Sequence, residues 1–135
     1  MLWTQVLSDI NLLAVLIAGI VHIVLGLVWF QPKLFGNAWV KLSGKEMKPA
    51  TQWIPAGMIA HLFMTLVLAV IVKLSGITTA LQGAVVGILV CLGFVATLLA
   101  GELVWEKIPF RLYLIRVANQ LVGFAIAGII LSTWR

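Results

Sequence analysis

The chain has 135 residues, 63% of them hydrophobic and only 10% charged, with a net charge of +5 and a mean hydropathy of +1.17. A soluble domain keeps roughly 25% charged residues to solvate its surface. This composition excludes a water-facing globule and makes lipid the main outer solvent. The positive balance does not point to nucleic acid, because the basic residues flank long apolar runs, where topology and lipid headgroups account for them. Cys91 is the single cysteine and lies inside an apolar run, which excludes an intramolecular disulfide or a cysteine metal cluster.

Residues 1–11 contain no Lys or Arg, so the opening lacks the basic region of a signal peptide, and the first apolar run reads as a retained span. Crossing the hydrocarbon takes about 20 apolar residues in a helix. Residues 12–30, 53–72, 80–100 and 112–131 qualify. These runs are too continuous for barrel strands, which alternate over about 10 residues. The expected fold is therefore all-α, a single integral membrane domain of four transmembrane helices in a bundle.

The connections carry the polar residues. Residues 31–52 hold Pro32, Gly36, Gly44, Pro49 and four lysines, interleaved with Leu34, Phe35, Trp39, Val40 and Leu42. That mixture predicts a short amphipathic segment lying at the interface between the first two spans. Trp29, Trp39, Trp53, Trp105 and Trp134 fall at span ends, where indoles prefer the headgroup region. Lys33, Lys41, Lys45, Lys48, Lys107 and Arg111 lie in the first and third loops, against Lys73 and Arg135 on the other side. The excess predicts cytoplasmic loops at 31–52 and 101–111, with both termini outside.

Polar groups are costly in lipid, so those inside spans are the most informative. His22 lies eight residues before Phe30, and His61 eight residues after Trp53. At about 1.5 Å per residue both sit roughly 12 Å deep, so consecutive spans packed side by side would bring them to one level. Ala18, Gly19 and Gly26 share the His22 face, and Gly57, Met58 and Thr65 share that of His61. Three chemistries fit such a pair. The imidazoles can be satisfied by neighbouring hydroxyls, amides and backbone, they can ligate a haem or a chlorophyll-type pigment, or they can relay a proton or metal ion. A metal site of its own would need more ligands than two imidazoles, and none is expected.

In the fourth span Arg116, Gln120 and Gly123 share one face, with Asn119 beside it. Arg116 enters about one turn into the membrane, which permits either snorkelling to the headgroups or a pair with Glu102 at the end of the third span. That pair would tie the second hairpin together or bind an anionic ligand. Glu106 and Arg111 are positioned for an outer pair of little energetic weight. Gly83 and Gly87 form a GxxxG step in the third span, a packing signal that serves either the bundle or contact between copies. Cys91, one step further along that face, reads as inert filling. No Walker loop, HExxH or Gly-x-Ser-x-Gly motif occurs, and no Asp or Glu lies in the middle of a span.

The run Trp29-Phe30-Gln31-Pro32-Lys33-Leu34-Phe35-Gly36-Asn37-Ala38-Trp39, preceded by Asn11-Leu-Leu-Ala-Val-Leu and Gly26, resembles the opening of the domain of unknown function 1761 family. The stretches Leu92-Gly-Phe-Val-Ala-Thr, Pro109-Phe-Arg-Leu-Tyr-Leu-Ile and Gly128-Ile-Ile-Leu-Ser-Thr-Trp134 are similar to its last two helices. The resemblance spans nearly the whole chain and implies a bacterial inner-membrane protein of four helices. It implies no activity and no catalytic residue. Where relatives read Ile-Asn-Ala-Gly-Tyr-His, this chain has Ile115-Arg116-Val117-Ala118-Asn119-Gln120, so Arg116 and Gln120 replace a neutral amide and an imidazole.

The function expected from these readings is non-enzymatic: a structural or accessory subunit that packs on other membrane proteins or on itself. Two alternatives stand beside it, a haem- or pigment-binding module built on His22 and His61, and a small transporter or channel working as an oligomer.

Overall fold

The computed structural model describes residues 2–134, and over them the protein is helical without a strand. Met1 and Arg135, the latter counted on the terminal side in the charge balance, lie outside the described residues. Four helices are long and apolar enough to cross a membrane, Leu12–Trp29, Thr51–Leu74, Ala80–Trp105 and Phe110–Thr133.

A short helix that hydropathy did not announce, α1 (Leu2–Ser8), precedes them. The first span, α2 (Leu12–Trp29), starts where the Asn11 side chain accepts the Ala14 N–H at 3.1 Å, satisfying one of the donors a helix start leaves open. After α2 the chain reverses over Pro32–Gly36. Leu34 leaves helical geometry at φ −105°, ψ −110°, and the Gly36 N–H donates to the Gln31 carbonyl at 3.0 Å. A methyl group on residue 36 would strike the Phe30 carbonyl oxygen and stand 2.9 Å from that of Gln31. Trp29 and Phe35 stack at 4.5 Å across the reversal. The most distinctive stretch of the sequence is thus a turn held by an aromatic stack and a glycine. A helix of the first loop, α3 (Asn37–Ser43), follows.

The second span is α4 (Ile54–Leu74), entered through a tight turn at Thr51–Trp53 with Pro55 in its first turn. The third is α5 (Ala80–Val90), a widened π-type turn at Cys91–Ala96, and α6 (Thr97–Trp105). Thr79 caps α5 by accepting the Gln82 N–H. The fourth span is α7 (Phe110–Thr133), which begins after Pro109.

Helix order does not follow chain order. α7 is central, packing on α5, α2 and α4, while α4 barely touches α5. Lipid tails are as apolar as leucine, so helices associate in a membrane through close packing and polar contacts. The α5–α7 seam is of the first kind. A methyl at Gly83 would strike the Gly128 carbonyl and the Ser132 hydroxyl, and one at Gly87 the Phe124 carbonyl. The GxxxG step therefore closes within the chain. Ser132 adds a hydrogen bond across the same seam, its hydroxyl donating to the Thr79 carbonyl at 3.1 Å.

The spans alternate in direction, so residue order gives depth. Ala14, Ala18, Leu68, Ala69, Ala127 and Leu131, all buried apolar residues, lie on the terminal side of the bundle. Glu102, Arg116, Asn119, Gln120, His22 and His61 lie on the loop side or at mid-depth. The bundle has an apolar half and a polar half.

Candidate functional site

The polar half is built where α2, α4 and α7 meet. His22 is only 2% exposed, and its Nε2 lies 3.1 Å from Oε1 of Gln120. Donation from Nε2–H to that amide oxygen joins α2 to α7. The His61 ring meets the His22 ring edge to face, with centroids 5.4 Å apart at 85°. His61 Nδ1 lies 3.0 Å from the Gly57 carbonyl one turn earlier, an acceptor, so Nδ1 carries the proton. Each imidazole thus commits its N–H to an oxygen and keeps one lone pair, and that of His22, on Nδ1, is buried without a protein partner.

Small residues make room for the pair. A methyl on Gly123 would collide with the His22 ring, and Phe124 closes that ring at 5.6 Å. Gly19 lets α4 approach, since a methyl there would stand 2.8 Å from the Leu62 side chain and 3.4 Å from the Thr65 hydroxyl oxygen. The Thr65 hydroxyl turns back to donate to the His61 carbonyl at 2.8 Å. Asn119 is buried one position before Gln120, opposite Gly26, and its Oδ1 has no protein partner.

One turn nearer the loops, Arg116 pairs with Glu102, joining α7 to α6. Both side chains keep about a quarter of their surface, 25% and 23% exposed. Arg116 therefore forms the cross-helix pair rather than snorkelling freely. At the widened turn of the third span, the Tyr113 hydroxyl donates to the Ala96 carbonyl at 2.8 Å, a second link between the third and fourth spans. The outer pair of Glu106 with Arg111 does not form among the described residues. The second ion pair found there is instead Lys73 with Asp9, 3.8 Å apart at the terminal end. Sequence reasoning missed that pair, because Asp9 lies in the turn after α1, outside every hydropathic span. It also assigned Trp29 only to the headgroup belt. The indole is half-buried on Phe35 with its Nε1–H enclosed and unpartnered.

These contacts limit the chemistry. Axial ligation of a haem needs the macrocycle between the two imidazoles, and here the rings touch directly, with Gly123 and Phe124 tight against His22. A porphyrin enters only if α2, α4 and α7 separate. For a metal ion, no group of three or more His, Cys, Asp or Glu converges among the described residues. Cys91 is fully buried in the apolar core. The arrangement joins helices through polar side chains and keeps a lone pair at mid-depth.

No curated protein and no solved structure matches the chain. A family model does match, over residues 13–132, nearly the whole of the bundle just described. The chain belongs to the family described as Protein of unknown function (DUF1761).

Proposed function

We propose that this protein is a non-enzymatic membrane subunit that works by association, with other membrane proteins or with copies of itself. One observation carries the reading. Arg116, Glu102, His22 and Gln120, polar side chains inside the spans, are engaged in links between helices, Arg116–Glu102 and His22–Gln120, rather than turned to an open cleft. Polar groups so placed act as glue between helices, and an enzyme would need some of them turned toward a substrate. The closed Gly83–Gly128 seam means that association uses another surface. The outer face of the third span is available, with Phe94, Leu98 and Trp105 exposed.

The membrane proposed is the bacterial inner membrane. The basic excess of the first and third loops supports cytoplasmic loops at 31–52 and 101–111 and outer termini, with α3 in the interface. The apolar half, from Ala14 to Leu131, counts against conduction through one copy.

The test is mild extraction from the native membrane, followed by mass measurement, identification of co-purifying proteins and an absorption spectrum. The expected result is a colourless complex heavier than one chain. A monomer without partners, both in the extract and after crosslinking in the membrane, overturns the reading. A Soret band lost in His22→Ala replaces it with cofactor binding. Ion flux in liposomes lost in Arg116→Ala replaces it with transport.

A further inference from the structure

A groove of about 430 Å³ runs between α3 and the start of α7, within the roughly 300–1,000 Å³ range of small-ligand sites. Its walls are Phe35, Ala38 and Leu42 on one side and Leu114 and Ile115 on the other, and the stems of Lys41 and Arg111 complete an almost wholly apolar lining, with their charged ends at its rim. Leu114 and Ile115 lie three and four residues beyond Arg111 along α7, which carries the apolar part about 5–6 Å deeper along the span. Neither cation pairs with a carboxylate among the described residues, although Glu106 is only five residues from Arg111 in sequence.

We infer that this groove is a binding site for one anionic phospholipid, its phosphate between Lys41 and Arg111 and an acyl chain along Ala38, Leu42, Leu114 and Ile115. The order of the groups is that of a lipid: positive charge at the span end, apolar wall below it. Two exposed cations at one groove, neither engaged by a carboxylate, offer their charge to an anion at headgroup level, and an apolar trough beside them suits a hydrocarbon tail and not a free anion. Lys33, Lys45, Lys48 and Lys107 in the same loops add to the attraction of an anionic leaflet but do not line the groove.

The experiment is native mass spectrometry of the full chain, released from micelles that hold equal phosphatidylglycerol and phosphatidylcholine with matched chains. The wild type is expected to retain one phosphatidylglycerol in preference. Removing a basic residue near a lipid surface weakens attraction about fivefold, so Lys41→Gln with Arg111→Gln should lower the preference by roughly 25-fold. Both side chains are exposed, so the fold survives the change. Lys45→Gln with Lys48→Gln should leave the preference in place. Ala38→Trp, with helicity checked by circular dichroism, should remove the bound lipid while both charges remain. The inference is overturned if the Lys41/Arg111 variant keeps its preference, or if the Lys45/Lys48 variant loses as much. Retention of lipid by a folded Ala38→Trp variant, or its displacement by millimolar inorganic phosphate, also overturns it.

Discussion

The two halves of the bundle hold their helices by different means. Toward the termini, Gly83 and Gly87 of α5 press on Gly128 and Phe124 of α7, and contact is backbone against backbone. Toward the loops the links are made by side chains, Arg116–Glu102, Tyr113–Ala96 and His22–Gln120. Burial of apolar surface distinguishes neither half, because lipid solvates leucine as well as another helix does. What distinguishes them is tolerance. A backbone contact has no rotamer to adjust and fails with one added carbon, whereas a side-chain bridge can lengthen, turn or recruit a headgroup.

That contrast predicts a hierarchy of substitutions, readable as unfolding free energy in mixed detergent micelles. Gly87→Val should do the most damage, about 3 kcal/mol or more, since overpacking ordinarily costs 1–3 and here the obstacle is a carbonyl. A loss below about 1 kcal/mol would show that α5 and α7 are not in backbone contact. Arg116→Met comes next. Breaking a buried pair costs about 3–5 kcal/mol, and the residual exposure of both partners reduces the expectation to roughly 2. Glu102→Gln added to Arg116→Met should recover part of that loss, and strict additivity would show that the two charges do not interact.

Gly123→Ala should cost about 1–2 kcal/mol by overpacking the His22 ring. Its effect should shrink in a His22→Ala background. An undiminished cost there would place the clash elsewhere. Gln120→Leu should be mildest. Hydrogen bonds between membrane helices average about 0.6 kcal/mol and reach about 1.7, so a loss well above that would mean that Gln120 holds more than His22.

The residues that define the spans were legible in the sequence for a simple reason. A backbone in hydrocarbon must satisfy its own hydrogen bonds, so each long apolar run has to be a helix. The depth of His22 and His61 followed from the fixed rise of that helix, and both rings lie at one level because α2 and α4 leave the same loop. Family membership was legible in the Pro32–Gly36 turn and its flanking aromatics. Nothing in the sequence said that this motif is a reversal locked by a stack, since that depends on Trp29 and Phe35 meeting across it.

Tertiary structure alone decided which helix packs on which. Most faces of a membrane span are apolar, so hydropathy ranks its sides poorly, and chain order misleads at α4 and α5. The GxxxG step advertised close packing but not its partner, which Gly128 and Phe124 supply from α7. Arg116 could snorkel or pair, and only the approach of α6 brought Glu102 to it. The histidines likewise had a depth but no contact until Gly19 and Gly123 let three helices close around them. Sequence fixes what each helix must be in lipid, because that is a local backbone requirement. Partners are set by the fit of small residues against carbonyls and rings, which exists only once the helices are side by side.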